Sequence, residues 1–396
     1  MKIAIIGAGI VGMTSAYYLT KKNHSVTVYD REPSPAMKCS YANGGQFSVC
    51  NSETWNTWNN VKKGLKWMLK KDAPLLIRPM PTPSKIFWLA GFLRHVLNNT
   101  HERNTIRTIM LAKQSQQLYE QLIDSEQIEF DRRQSGIMHV YSDEKSIEEA
   151  YSSKSLFENN GIEWKFLTPE EIIQRDKGMR DFKNLKGGFL TMSDWTGDAH
   201  LFCQKLQSVC ESLGTTFKFN TDVIGIGGKN IIYKQNDIDE RIHESYDAVV
   251  LCNGHEMTKW SFAHGDYLNI YPVKGYSITI PEAASAPEIS LLDDSKKIVC
   301  SLLGNRLRVA GTAELDGNNL DICQDRIKPL LNWVNENFPS INTTVYSRWA
   351  CLRPMSSDML PMIIKSKSDG LWYHGGHGHL GWTLAAATSY RLSNLI

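Results

Sequence analysis

Lys2-Ile-Ala-Ile-Ile-Gly-Ala-Gly-Ile-Val-Gly12 is the stretch that decides the fold. Ile3 to Ile6 is an apolar run long enough for one buried strand, and Met13 to Leu19 reads as helix. Between them Gly7, Gly9 and Gly12 form G-x-G-x-x-G. The first glycine allows the tight turn, the second lets a pyrophosphate approach the backbone, and the third lets helix and strand pack closely. The helix start offers free N–H groups and a positive dipole end to phosphate. A second strand, His24 to Asp30, ends in an acid 18 residues after Gly12, where a ribose hydroxyl needs an acceptor. Alone the glycine pattern is compatible with a bare turn; the strand, helix and acid around it point to a dinucleotide site. Its candidate residues are Gly7, Ala8, Gly9, Ile10, Val11, Gly12, Asp30 and the adjacent Arg31.

The chain has 396 residues, more than one ordinary core holds, so two domains are expected. A net charge of +2 gives no electrostatic reason to expect a nucleic-acid partner. The eight cysteines form no C-x-x-C pair, and reduced thiols in a cytoplasmic setting are the simplest reading. No run approaches the roughly 18 apolar residues of a spanning helix, and nothing calls for a metal.

Working outward, Ser40-Tyr-Ala-Asn-Gly-Gly-Gln46 suits a loop against a polar ligand, with a plain surface turn as the alternative. Ser40, Ala42, Asn43, Gly44 and Gln46 are its candidate contacts. Over residues 55–71, Trp58, Val61, Leu65, Met68 and Leu69 share one helical face and five lysines crowd the other. That pattern fits peripheral contact with an anionic membrane; the plainer reading is a solvated helix covering the core. Residues 84–127 look helical, strands are expected at 136–141 and 187–192, and Thr168-Pro-Glu-Glu171 reads as a capping box. Asp198 caps a helix over 199–213, a strand at 216–219 leads into Val223, and Tyr246 to Gly254 reads as a buried parallel strand of the first sheet. Val223 and Gly254 are therefore candidates at the crevice. The fold class is α/β plus α+β: a discontinuous Rossmann-like domain (1–83, 195–256, 350–396) and a mixed-sheet domain (84–194, 257–349). The end of the chain carries Gly375, Gly376, Gly378 and Gly381 around two histidines, then a terminal helix.

These motifs, with Thr196-Gly-Asp198, Pro272-Val-Lys-Gly-Tyr276, Leu352-Arg-Pro-Met355 and Gly376-His-Gly-His-Leu-Gly-Trp-Thr383, occur in this order over nearly the whole chain. The chain resembles the D-amino-acid dehydrogenase small-subunit family, within the FAD-dependent glycine/D-amino-acid oxidase superfamily. The resemblance implies bound FAD, with Gly378, His379, Leu380, Gly381, Trp382 and Thr383 facing its ring. It implies oxidation of a D-amino acid to an imino acid by hydride transfer to flavin N5, then hydrolysis to a 2-oxo acid and ammonia.

Arg353 matches the superfamily's carboxylate-binding arginine, a role that suits a planar guanidinium. Tyr276 either hydrogen-bonds the same carboxylate or belongs to the core. Lys274 is a candidate to face flavin or a water. His377 and His379 either touch flavin or substrate or simply pack there. Cys351 departs from the family pattern; a covalent flavin link, as in sarcosine oxidases, stands against a buried inert thiol. Three functional readings remain open: a dehydrogenase feeding a quinone or respiratory chain, an oxidase using O₂, and a flavin-binding module without turnover.

Overall fold

The computed structural model describes residues 1–67, 74–78, 81–235, 238 and 240–396. Met68, Leu69, Lys70 and Lys71, part of the expected basic helix, fall outside that set.

Lys2–Ile6 lies between Ala248–Leu251 and Ser25–Tyr29, parallel to both. Ile3, Ala4, Ile5 and the whole of Ala248–Leu251 are buried, as a parallel strand covered on both faces requires. The sheet reads Met362–Lys365, Leu371–Gly375, Ala248–Leu251, Lys2–Ile6, Ser25–Tyr29, Thr216–Lys218, six strands among the described residues. Only the first of these runs antiparallel to its neighbour. Segments from the start, middle and end of the chain thus build one sheet.

The helices Ile10–Lys21 and Gly381–Leu395 pack side by side against it. Thr14 and Ser389 are joined through their hydroxyls at 2.7 Å, and Ser15 Oγ meets Ser389 Oγ at 3.1 Å. Small residues (Ala385, Ala386, Ala387) allow that close approach. The helix Ala199–Ser212 covers the same first helix, and Asp198 caps it by accepting the His200 and Leu201 N–H groups. Such a cap contributes about 1 kcal/mol. The expected capping box at Thr168 is present, with Glu171 returning the hydrogen bond.

The second sheet has nine strands among the described residues. It runs Ser347–Ser356, Ile270–Ile280, Arg306–Leu315, Ile298–Leu303, Ser290–Asp293, Ile137–Tyr141, Gly187–Thr191, Lys165–Leu167, with Leu75–Ile77 also paired to Arg306–Leu315. The helix Gln324–Asn337 buries one face of it through Ile327, Leu330, Trp333 and Val334. The expected boundaries put 75–77 and 350–356 in the first domain, but their strands hydrogen-bond into this second sheet. A strand's pairing partner is set by register across the sheet, which the local sequence does not carry.

The helix Trp58–Trp67 buries only Gly64 among its residues. Trp58 and Leu65 are 53% and 62% exposed. Its apolar side therefore does not cover the core.

Candidate functional site

The two sheets enclose a cavity of about 2260 Å³. Small-ligand pockets run to roughly 300–1,000 Å³, so this one has room for a dinucleotide and a substrate together. Two helices, Ile10–Lys21 and Gly381–Leu395, start at its wall, and neither has a side-chain cap from its own N-cap residue. Ile10 N–H is taken by Ser40 Oγ at 3.1 Å, which ties the loop after the second strand to the first helix. The remaining first-turn N–H groups of both helices are donors suited to an anion or a polarised carbonyl.

The glycines divide into those the protein itself explains and those it does not. A Cβ on Gly12 would lie 1.8 Å from Gly7 O, and one on Gly44 would lie 2.9 Å from Val299 Cγ1. Gly7 and Gly378 have φ of +106° and +58°. Gly9 and Gly381 have ordinary φ values of −68° and −54°, and a Cβ there would meet nothing closer than 3.7 Å and 3.9 Å. Both line the cavity at the start of a helix. Space at these two positions is left for something other than protein, which fits a bound dinucleotide.

Asp30 accepts the Ala8 N–H at 2.6 Å and the Glu32 N–H at 2.9 Å, and each carboxylate oxygen keeps a free lone pair. Burial raises its pKa against the pull of those two hydrogen bonds. Arg31 lies on the cavity wall in an ion pair with Glu256, near Gly254. Val223 and Gly254 also line the cavity, whereas Ala8 and Gly12 lie behind its wall.

The loop 40–46 is neither a surface turn nor free. The Ala42 carbonyl accepts from Ser277, Asn43 from Arg308, and Gly44 from Ser301, all on strands of the second sheet. Gln46 donates to Ser290 Oγ at 2.8 Å. The cofactor loop is thus sewn to the other domain's sheet along the cavity wall.

At the far end of the glycine-rich segment, His377 Nε2 sits 2.9 Å from Thr388 Oγ1 and holds the turn to the terminal helix. His379 stacks on Trp55, with ring centroids 4.6 Å apart. Burial lowers both histidines to about 3, so both are neutral. Thr383 Oγ1 accepts the Ser48 N–H, Leu380 is buried, and Trp382 packs its ring against Tyr119 and Phe202.

Arg353 projects from Ser347–Ser356 opposite Val273. Its guanidinium lies over Gly275, where a Cβ would come within 2.3 Å of Cζ. It is half-buried on the cavity wall and makes no hydrogen bond or carboxylate ion pair among the described residues. Register puts Lys274 and Tyr276 on the opposite face of the sheet. There Tyr276 OH donates to Glu314 at 2.5 Å and Arg78 Nε lies 2.7 Å from the same carboxylate. Lys274 Nζ lies 3.6 Å from Glu314 and 3.5 Å from Asp316. The geometry does not bring Lys274 or the Tyr276 hydroxyl to Arg353. Gly275 lies between them on the cavity face, which leaves the guanidinium its seat.

Two arrangements were not foreseen from the sequence. Asp194 accepts the N–H groups of Val49 and Cys50 and the Ser48 hydroxyl, fixing the chain just past the glycine loop. His139 links Cys50, 3.3 Å from its Nε2, to Asp294, 3.0 Å from its Nδ1, also on the cavity wall. These residues are far apart in the chain and match no local motif.

Comparison with known proteins agrees with this geometry. The model of the family described as FAD dependent oxidoreductase matches residues 2–395. The chain belongs to that family. The FAD dependent oxidoreductases most similar in sequence include D-amino acid dehydrogenase 3 of Mesorhizobium japonicum, 41% identical over all of this chain and 97% of the relative. D-amino acid dehydrogenase of Chromohalobacter salexigens is 35% identical, over all of this chain and 96% of the relative. Among solved structures, glycine oxidase from Bacillus cereus has the same fold, with a TM-score of 0.77 at 17% identity over all of this chain and 94% of that one. FAD is the cofactor of this family, and the paired helix starts and the two unfilled glycine positions leave room for a dinucleotide.

Proposed function

We propose that this FAD dependent oxidoreductase oxidises D-amino acids to 2-oxo acids and ammonia. The observation that carries the reading is Arg353, a guanidinium with no ion pair among the described residues, seated on Gly275 inside the cavity that two helix starts share. A guanidinium in such a place receives a carboxylate bidentately. The relatives' names supply the amino acid and its hand.

Arg353 fixes the substrate carboxylate and so fixes Cα, and fixing geometry is itself a large part of the rate. Trp55, Tyr271, Val273 and Met355 form an apolar wall near it that keeps water from the reacting carbon. His377 and His379 are neutral, so they add no second cation to compete for the carboxylate. Bound FAD supplies the hydride acceptor. The imino acid leaves the site and is hydrolysed in water. An anaerobic screen of D- and L-amino acids and N-methyl amines tests the reading. D-amino acids should bleach the flavin band; bleaching by none of these compounds would leave a module without turnover.

For the acceptor we propose a quinone reached through peripheral contact with a membrane. Trp58 and Leu65 are exposed on one helix with the exposed Lys62 and Lys66, and Ile86, Phe87 and Leu97 are exposed on the next helix, Pro83–Leu97. The cavity extends to both helices. Among the described residues no helix is long and apolar enough to cross a membrane. Cosedimentation with anionic vesicles that disappears at high salt is expected. Fast peroxide production in air without dye or quinone reduction would instead make the protein an oxidase.

A further inference from the structure

Cys39 and Cys351 come from distant parts of the chain and meet on the cavity wall, where each is half-buried. Cys39 Sγ donates to the Leu352 carbonyl at 2.9 Å, which brings it beside the residue before Leu352. That contact makes the two cysteines neighbours, and no disulfide joins them. Arg353 is two residues further along the same strand and shares the sheet face with Cys351. Cys39 directly precedes Ser40, whose hydroxyl holds the first helix start.

We propose that Cys39 and Cys351 are a peroxide-reactive dithiol that closes into a disulfide across the seam between the two sheets. The neighbouring Cys39 and the Arg353 charge on the same face lower the Cys351 pKa against the opposing effect of burial, whereas Cys351 and burial raise that of Cys39. Cys351 is therefore the more acidic of the two, and the thiolate it forms beside Arg353 is the nucleophile. Cys351 attacks one oxygen of a hydroperoxide; the O–O bond breaks, and hydroxide leaves to become water. The sulfenic acid formed is then attacked by Cys39. The S–S bond forms, the S–O bond breaks, and a second water departs. The two sulfurs lose two electrons, which reduce one peroxide. Dithiothreitol reverses the closure by thiol exchange.

The test uses the holoprotein, a small excess of hydrogen peroxide, thiol titration under denaturing conditions and non-reducing peptide mapping. The titre should fall from eight to six, with Cys39 and Cys351 as the linked pair. Cys351→Ser should lose that reaction, slowing thiol loss by about tenfold or more. Cys39→Ser should stop at a sulfenic acid on Cys351 that dimedone traps. An unchanged titre of eight, a disulfide between other cysteines, or flavin that stays attached through Cys351 after denaturation would each overturn the proposal.

Discussion

The two faces of the strand pair Ile270–Ile280 and Ser347–Ser356 treat buried charge in opposite ways. On one, Lys274, Tyr276 and Arg78 converge on Glu314, so a fully buried carboxylate has a partner at each oxygen. Burial alone would raise the Glu314 pKa, but the Tyr276 hydrogen bond and Arg78 hold it below its ordinary value. On the other, Arg353 lies over a glycine and pairs with no carboxylate among the described residues. A saturated ionic cluster leaves no bonding capacity for a ligand, whereas a lone guanidinium in a cavity has all of its donors to offer. Neighbouring residues of two paired strands thus face two different surroundings, one saturated with partners and one open to the cavity.

The comparison breaks most readily at Glu314. Glu314→Gln removes the carboxylate on which Lys274, Tyr276 and Arg78 converge and leaves the buried Lys274 only Asp316 as a charged neighbour among the described residues, and the loss should be about 3–5 kcal/mol of stability in urea unfolding. KM for the amino acid should hardly change. A large rise in KM with stability intact would mean that the Lys274 face serves the substrate after all.

A smaller effect is expected at Gly275. An alanine Cβ would displace the Arg353 guanidinium, at a cost of about 1–3 kcal/mol, or roughly 5- to 150-fold in kcat/KM. Flavin content should stay normal. Unchanged kinetics in Gly275→Ala would show that the arginine does not need its seat.

The glycine-rich segment gives a third contrast, this time through pH. Burial lowers His374, His377 and His379 far below their ordinary value of 6.5. Above pH 6.5 folded and unfolded chains are both neutral at these sites. Below it the unfolded chain takes up protons that the folded chain does not. Stability should therefore fall as pH drops from 6.5 toward 3, by about 1.4 kcal/mol per pH unit for each histidine. Thermal unfolding at successive pH values measures this, and His377→Asn should make the dependence shallower. A melting temperature flat across that range would mean these histidines are protonated in the fold.

The cofactor end was legible in the sequence because its determinants are local. Gly7, Gly9 and Gly12 act within one turn, and Asp30 follows at the length of a helix and a strand. The place of Arg353 on the cavity wall was legible through its motif and position. The opposite orientation of Lys274 and Tyr276 was not, since strand register decides which face a residue joins and a motif quoted in one dimension hides the alternation. The Cys50–His139–Asp294 chain was invisible for another reason: its members lie on three separate segments, and only the packed sheets bring them together.

Anaerobic flavin reduction by a D-amino acid, in the native protein and in Arg353→Ala, tests the central claim most directly. The native flavin should bleach with a rate that saturates in substrate. The variant should keep its yellow colour and its melting temperature, yet require roughly 30- to 5,000-fold more substrate for the same rate, the loss of about 2–5 kcal/mol. A variant that bleaches at the native concentration and rate would contradict the assignment of Arg353 as the carboxylate anchor.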